Sequence, residues 1–185
     1  MNWTIPGTVL EADRAEADLL EERFRAMFLG GGVMLGQVTA VTGLDPYMVQ
    51  NWVKRGFLSS PQKKRYTLRQ LCRILNINML RGILQMEDIC GLLSYVNGAL
   101  DDESDDLVSD ADLYFMFVRI AARTEDYLVD SPEARNELIR QCMADYREPV
   151  PGAGQRVEQV LRIMMTAYAA SMLQKLSQQM LENLK

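Results

Sequence analysis

The sequence predicts an all-α fold with at most a very small β wing. Two observations carry this. Apolar residues recur at three- and four-residue spacing, as in Leu20, Phe24, Met27 and Phe28, and again in Met164, Tyr168, Met172, Leu176, Met180 and Leu184. Helix-starting residues stand ahead of several such runs: Asp45-Pro46, Thr67 and Ser131-Pro132. No internal repeat is visible.

The elements follow in order. Residues 1–10 read as loose. Residues 11–29 read as one helix, acidic toward its start and stopped by the hinge Gly30-Gly31-Gly32. Residues 35–42 form a short helix with Leu35, Val38 and Val41 on one side, and Gly43 is the turn after it. A second helix is capped by Asp45, opened by Pro46 and closed by Gly56. Its Val49, Trp52 and Val53 face inward, leaving Tyr47, Gln50, Asn51 and Lys54 outside. Phe57 and Leu58 re-enter the core, and residues 59–64 form a loop. A helix follows from Thr67 through Leu75, with Leu68, Leu71, Cys72 and Leu75 inward. Residues 76–78 read as a break, and residues 79–96 supply one or two further short helices. Residues 97–110, with six acids and no base, read as a solvated linker; an acidic decoy competing with DNA for the basic face is the alternative. Helices are then expected at 111–129, from Ser131 to the segment Glu148-Pro149-Val150-Pro151-Gly152, and at 155–184.

Composition narrows the function. With 185 residues, 48% hydrophobic and 24% charged, the chain fits one or two small globular domains. No apolar run approaches the roughly 18 residues of a membrane-spanning helix. The start lacks a basic segment followed by an apolar one, so a cytoplasmic location is expected and no membrane partner. Cys72, Cys90 and Cys142 are expected as reduced, buried thiols. The chain has no histidine, hence neither the commonest general base nor the commonest metal ligand. It also lacks a phosphate loop, a nucleophile elbow and a Cys-x-x-Cys pair. No enzyme, cofactor or metal site is expected.

Charge is unevenly distributed. Between Met34 and Leu75 stand Lys54, Arg55, Lys63, Lys64, Arg65, Arg69 and Arg73 against the single acid Asp45. That segment carries +6, which leaves -11 for the rest of a chain of net charge -5. A basic module in an acidic chain is the footprint of a surface that meets phosphate. A helix, a Gly turn, a second helix ending in Lys-Arg and a short basic loop together have the form of a winged helix-turn-helix. Tyr47, Gln50 and Asn51 would meet base edges. Lys54, Arg55, Lys63, Lys64, Arg65, Tyr66 and Arg69 complete the candidate DNA-binding set, mostly through the phosphate backbone. Five to seven phosphate contacts are expected, giving a log-log salt slope of magnitude about 4–6.

These residues resemble a known pattern. Gly43, Trp52, Gly56, Phe57-Leu58, Pro61 and Arg65-Tyr66 are similar to the head of the MerR-type regulators. Pro61 comes one residue later than in that family, and Gln50 stands where an Arg is usual. The chain more closely resembles an uncharacterised bacterial family with a MerR-like head. That likeness rests on Asn51-Trp52-Val53-Lys54, Pro61-x-Lys63-Lys64-x-Tyr66-Thr67 and Met86-Glu87-Asp88-Ile89, and covers roughly residues 10–125. It implies a transcription-factor role without naming a target or ligand.

The expected organisation is an N-terminal helix and hinge (1–33), a winged head (34–96), an acidic linker (97–110) and a helical dimerisation or effector region (111–185). The expected partners are double-stranded DNA, a second copy of the chain and a small apolar effector. The alternative is a protein-interaction adaptor that keeps the fold without binding DNA. For the methionine-rich last helix, packing within the chain and pairing with a twin both stand open.

Overall fold

A computed structural model describes residues 2–124 and 131–184. Among these residues the chain is mostly helical, with eight α-helices and two small two-stranded sheets.

The N-terminus corrects the expected loose segment. Strands β1 (Asn2–Thr4) and β2 (Glu11–Asp13) pair antiparallel, with Trp3 opposite Ala12. Trp3 and Ile5 are buried. The connecting loop is fixed from outside: the Tyr114 hydroxyl donates to the Pro6 carbonyl at 2.9 Å, and the Val9 amide donates to the Val41 carbonyl at 3.0 Å. Gly7, at φ +76°, lies so close to the backbone of Leu75 that an added Cβ would stand 2.5 Å from the Leu75 carbonyl oxygen. The expected helix over 11–29 is accordingly shorter. Asp13 accepts from the Ala15 amide, a 3-10 turn spans Arg14–Glu16, and α1 covers Ala17–Ala26 with Leu20 and Phe24 buried. The glycines after it turn the chain into β3 (Val33–Met34).

Helices α2 (Leu35–Thr42) and α3 (Pro46–Lys54) stand as the sequence predicts, joined through Gly43 at φ +69°. An added Cβ at Gly43 would meet Val9, so the N-terminal loop covers this turn. Strand β4 (Arg65–Tyr66) pairs antiparallel with β3, bringing Val33 opposite Tyr66.

Helix α4 (Leu68–Leu80) corrects the expected break at 76–78. Thr67 caps it, with Gln70 closing a capping box. The helix continues because its asparagines have external acceptors. The Asn76 amide nitrogen donates to the Asp110 carbonyl at 3.3 Å, and that of Asn78 donates to Gly7 and Thr42 at 2.9 and 3.1 Å. Local composition favoured a turn, and tertiary contacts outweigh it.

Helix α5 (Met86–Asn97) follows, and the acidic stretch then leads into α6 (Asp110–Arg123), which Ser109 caps. The expected helix over 111–129 extends into residues 125–130, which lie outside the described residues. Helix α6 is buried on nearly every side and packs chiefly on α4. Phe24, Tyr114 and Phe115 form a ring cluster with centroids 5.2–6.3 Å apart. Helices α7 (Pro132–Cys142) and α8 (Ala153–Glu182) complete the chain. Nearly all the buried apolar residues from Trp3 to Ala167 form one cluster. No helix of the described residues is long and apolar enough to cross a membrane.

Candidate functional site

Helix α3 is a two-faced element fixed at both ends. Asp45 accepts the Tyr47 amide at 2.7 Å, and Pro46 sets the first helical φ. At the other end Gly56, at φ +75°, lets the Phe57 amide donate to Trp52 at 2.9 Å and its own amide donate to Val53 at 3.1 Å. These two bonds satisfy carbonyls that the helix end would leave open. Val49 and Trp52 are buried and anchor the inner face. Tyr47 is 76% exposed, Gln50 and Lys54 are exposed, and Asn51 is half-buried.

The loop after α3 closes on itself. Gln62 bridges Arg65, and the Arg65 amide donates to the Gln62 carbonyl at 2.8 Å. Between them Lys63 and Lys64 take φ of +48° and +63°. Positive φ at both central residues of a two-residue hairpin is the pattern of a type I′ turn, which prefers Asn-Gly. Here two lysines occupy it and project into solvent. Lys54, Lys63 and Lys64 make no ion pair among the described residues. The Arg65 guanidinium donates to the Gly32 carbonyl at 2.9 Å, which ties the turn to the sheet while the side chain stays exposed. Arg55 is also exposed, 3.3 Å from Glu87 and with its guanidinium 4.5 Å from the centre of the Phe57 ring. An open cleft of about 460 Å³ separates this turn from α2 and α3, lined mostly by Met34, Leu35, Val53, Pro61 and Tyr66.

Two predicted site residues are placed otherwise. Tyr66 is 3% exposed and its hydroxyl pKa is raised by burial, so it packs as part of the sheet. Arg69 is instead held by carboxylates, meeting Glu103 at 2.8 Å, Asp106 at 2.9 Å and Asp110 at 3.7 Å. Arg73, counted in the basic segment, is likewise internal: its Nε donates to the Phe57 carbonyl at 3.0 Å, and Asp110 lies 3.4 Å away. The physical reason is shared. Helix α4 packs on α6, and the acidic stretch brings carboxylates to arginines that would otherwise be buried unpaired. That stretch is therefore only partly solvated. Asp110 is 1% exposed, and burial raises its pKa against the opposing pull of Arg73 and Arg69. Asp106 is pushed up to about 6, by burial first, with Asp110, Glu103 and Asp105 adding to it and Arg69 opposing.

Sequence reasoning missed this arginine–carboxylate cluster. Its only signal is the coincidence of two arginines four apart on one helix with two aspartates four apart in a later segment. Sequence reasoning also missed the N-terminal loop that buttresses the α2–α3 turn. Of the thiols, Cys72 and Cys142 are buried and Cys90 is half-buried. Among the described residues no group of three His, Cys, Asp or Glu side chains is placed to hold a metal ion.

Comparison with known proteins adds a frame for this geometry. An uncharacterised protein of Bacillus subtilis, YkrK, is 32% identical over 81 residues, which is 42% of this chain. The chain matches only about a third (35%) of the length of that relative. No solved structure matches the chain. Residues 33–117 match the model of a domain of unknown function, DUF1836. The matched segment runs from β3 into α6 and so contains both the outward basic face and the arginine–carboxylate cluster.

Proposed function

We propose that this chain is a DNA-binding transcriptional regulator whose residues 34–96 form a MerR-like winged helix-turn-helix head. In this reading α2 and α3 are the two helices, α3 lies in the major groove, and the Lys63-Lys64 turn is the tip of the wing. One observation carries the reading most directly: Lys54, Lys63 and Lys64 stand outward without carboxylate partners in a chain that is acidic overall. Such cations attract phosphate and release counterions when they meet it. Tyr47 and Gln50, exposed on α3, and the half-buried Asn51 supply hydrogen-bonding groups of the kind that read base edges. Arg65 adds to the phosphate contacts. Arg55 contributes on exchanging Glu87 for phosphate.

The test is fluorescence anisotropy of the purified chain on mixed genomic duplexes, beside the Lys63→Ala/Lys64→Ala/Arg65→Ala variant. The proposal predicts that the variant loses affinity for all duplexes alike, by at least tenfold. Replacing Asn51 by Ala is expected to flatten the preference among sequences while leaving non-specific binding largely intact. A folded chain that binds no duplex at about 50 mM salt would sink the reading in favour of a protein-interaction adaptor.

A further inference from the structure

A chamber of about 190 Å³ opens between the loop after α3 and the acidic stretch. Ser59 and Ser60 line it from the loop, Thr67 and Arg69 from the cap and first turn of α4, and Asp101 and Glu103 from the acidic stretch. Buried Gln70 holds the loop wall in place. Its amide nitrogen donates to the Ser59 and Ser60 carbonyls at 3.0 and 3.2 Å and to the Ser59 hydroxyl at 3.0 Å. The Thr67 hydroxyl accepts from the Gln70 amide at 3.2 Å. The Ser59 and Thr67 hydroxyls thus accept a bond each and keep their own hydrogens to give. Neither they nor the Ser60 hydroxyl donate to any acceptor among the described residues. A guanidinium and three free hydroxyl donors around one small chamber are the groups that hold a phosphate oxygen.

A carboxylate already sits on that guanidinium. Glu103 Oε1 lies 2.8 Å from Arg69 Nη1, and the Glu103 side chain is 78% exposed. The other side of Arg69 is held from within: Nη2 faces Asp106 at 2.9 Å and Nε faces the buried Asp110 at 3.7 Å. These pairs are unequal. Asp106 and Asp110 are sheltered from water and fix the guanidinium in place. Glu103 covers only its outer edge, where solvent and salt screen the attraction. A phosphate arriving at the chamber competes with Glu103 alone.

Glu103 stands on an arm that is closed at its base. The Leu107 amide donates to the Val96 carbonyl at 2.7 Å. Within the arm Asp105 accepts from the Ala99 amide at 3.1 Å, and Asp102 accepts from the Ser104 amide at 2.8 Å. Residues 101–105 are exposed throughout. Among the described residues, Glu103 is the one side chain of these five with an ion pair or hydrogen bond outside the arm. The arm therefore meets α4 through one exchangeable polar contact. It also carries Asp101, Asp102, Glu103 and Asp105, whose charge repels a phosphate backbone approaching the neighbouring loop.

We propose that this chamber is a seat for one DNA backbone phosphate, kept closed by Glu103, and that residues 99–105 are an autoinhibitory arm. The inference rests on the DNA-binding reading above and adds its regulation. The test is anisotropy of the full chain on one duplex, the parent beside Glu103→Gln and Asp102→Asn. Glu103→Gln uncovers the outer edge of Arg69. It is expected to tighten binding roughly tenfold, as one charge-assisted contact is gained, and to steepen the log-log salt slope by about one unit. Asp102→Asn removes the same charge one residue away without touching Arg69, and is expected to stay within about twofold of the parent at about 150 mM salt. In an Arg69→Ala background, with folding checked by circular dichroism, Glu103→Gln is expected to gain nothing. A Glu103→Gln chain that binds like the parent, an Asp102→Asn chain that gains as much, or a gain that survives Arg69→Ala would each overturn the seat and leave the DNA-binding reading standing. A parent and a Glu103→Gln chain that both fail to bind duplex at about 50 mM salt would overturn both.

Discussion

Lys63 and Lys64 hold backbone conformations that L-residues adopt at a cost of roughly 1–2 kcal/mol each. A turn of this shape is most stable with Asn-Gly. Keeping two lysines there trades stability for charge at an exposed tip. Lys63→Asn/Lys64→Gly is therefore expected to raise the melting temperature by several degrees while weakening duplex binding severalfold. An unchanged affinity would remove the tip from the proposed interface. Asp106 behaves differently. Its folded pKa of about 6 lies above the ordinary 3.8, so it binds a proton more readily in the folded state. The stability this contributes is complete below pH 3.8 and is lost as pH rises through about 6. Asp106→Asn removes that dependence, so its melting temperature relative to the parent is expected to rise between pH 4.5 and pH 7. A constant difference would contradict the burial argument. At this scale the sequence reads well where a residue's role is local. Asp45, Pro46, Gly56, Val49 and Trp52 have the roles their types and spacing imply. Arg69 and Arg73 do not, because a cation's orientation depends on carboxylates more than thirty residues away, and Tyr66 does not, because its strand pairs with Val33 and buries it.

The elements show the same division. Helices α2, α3 and α7 announce themselves through caps and periodicity. The β1–β2 hairpin does not, since three-residue strands are too short to show alternation and are fixed by distant groups. That dependence is testable. Tyr114→Phe leaves the Pro6 carbonyl without its buried donor, and Asn78→Ala removes two hydrogen bonds that join α4 to the N-terminal loop and α2. Each is expected to lower stability by about 1–3 kcal/mol in denaturant unfolding. A change below about 0.5 kcal/mol in both would show the N-terminal loop to be peripheral to the fold. Helix α8 was legible as a long apolar stripe. Which half of it is buried was not, because that depends on where the body ends.

The whole molecule separates its charges by structure as well as by sequence. Arg69 and Arg73 are spent internally on Glu103, Asp106 and Asp110, binding α4 to the acidic stretch and α6. The outward basic surface is therefore narrower than a count along the chain implies, consisting of Lys54, Lys63, Lys64, Arg65 and the Glu87-paired Arg55. On the proposed reading three to five phosphate contacts per head remain, which corresponds to a log-log salt slope of about 3–5 per head. The decisive measurement is that slope, taken by anisotropy on one duplex from about 50 to 300 mM salt. The account predicts linear weakening within that range per head, and a slope reduced by about three units when Lys63, Lys64 and Arg65 are replaced by Ala. A salt-insensitive affinity, or a slope the triple variant leaves unchanged, would contradict it.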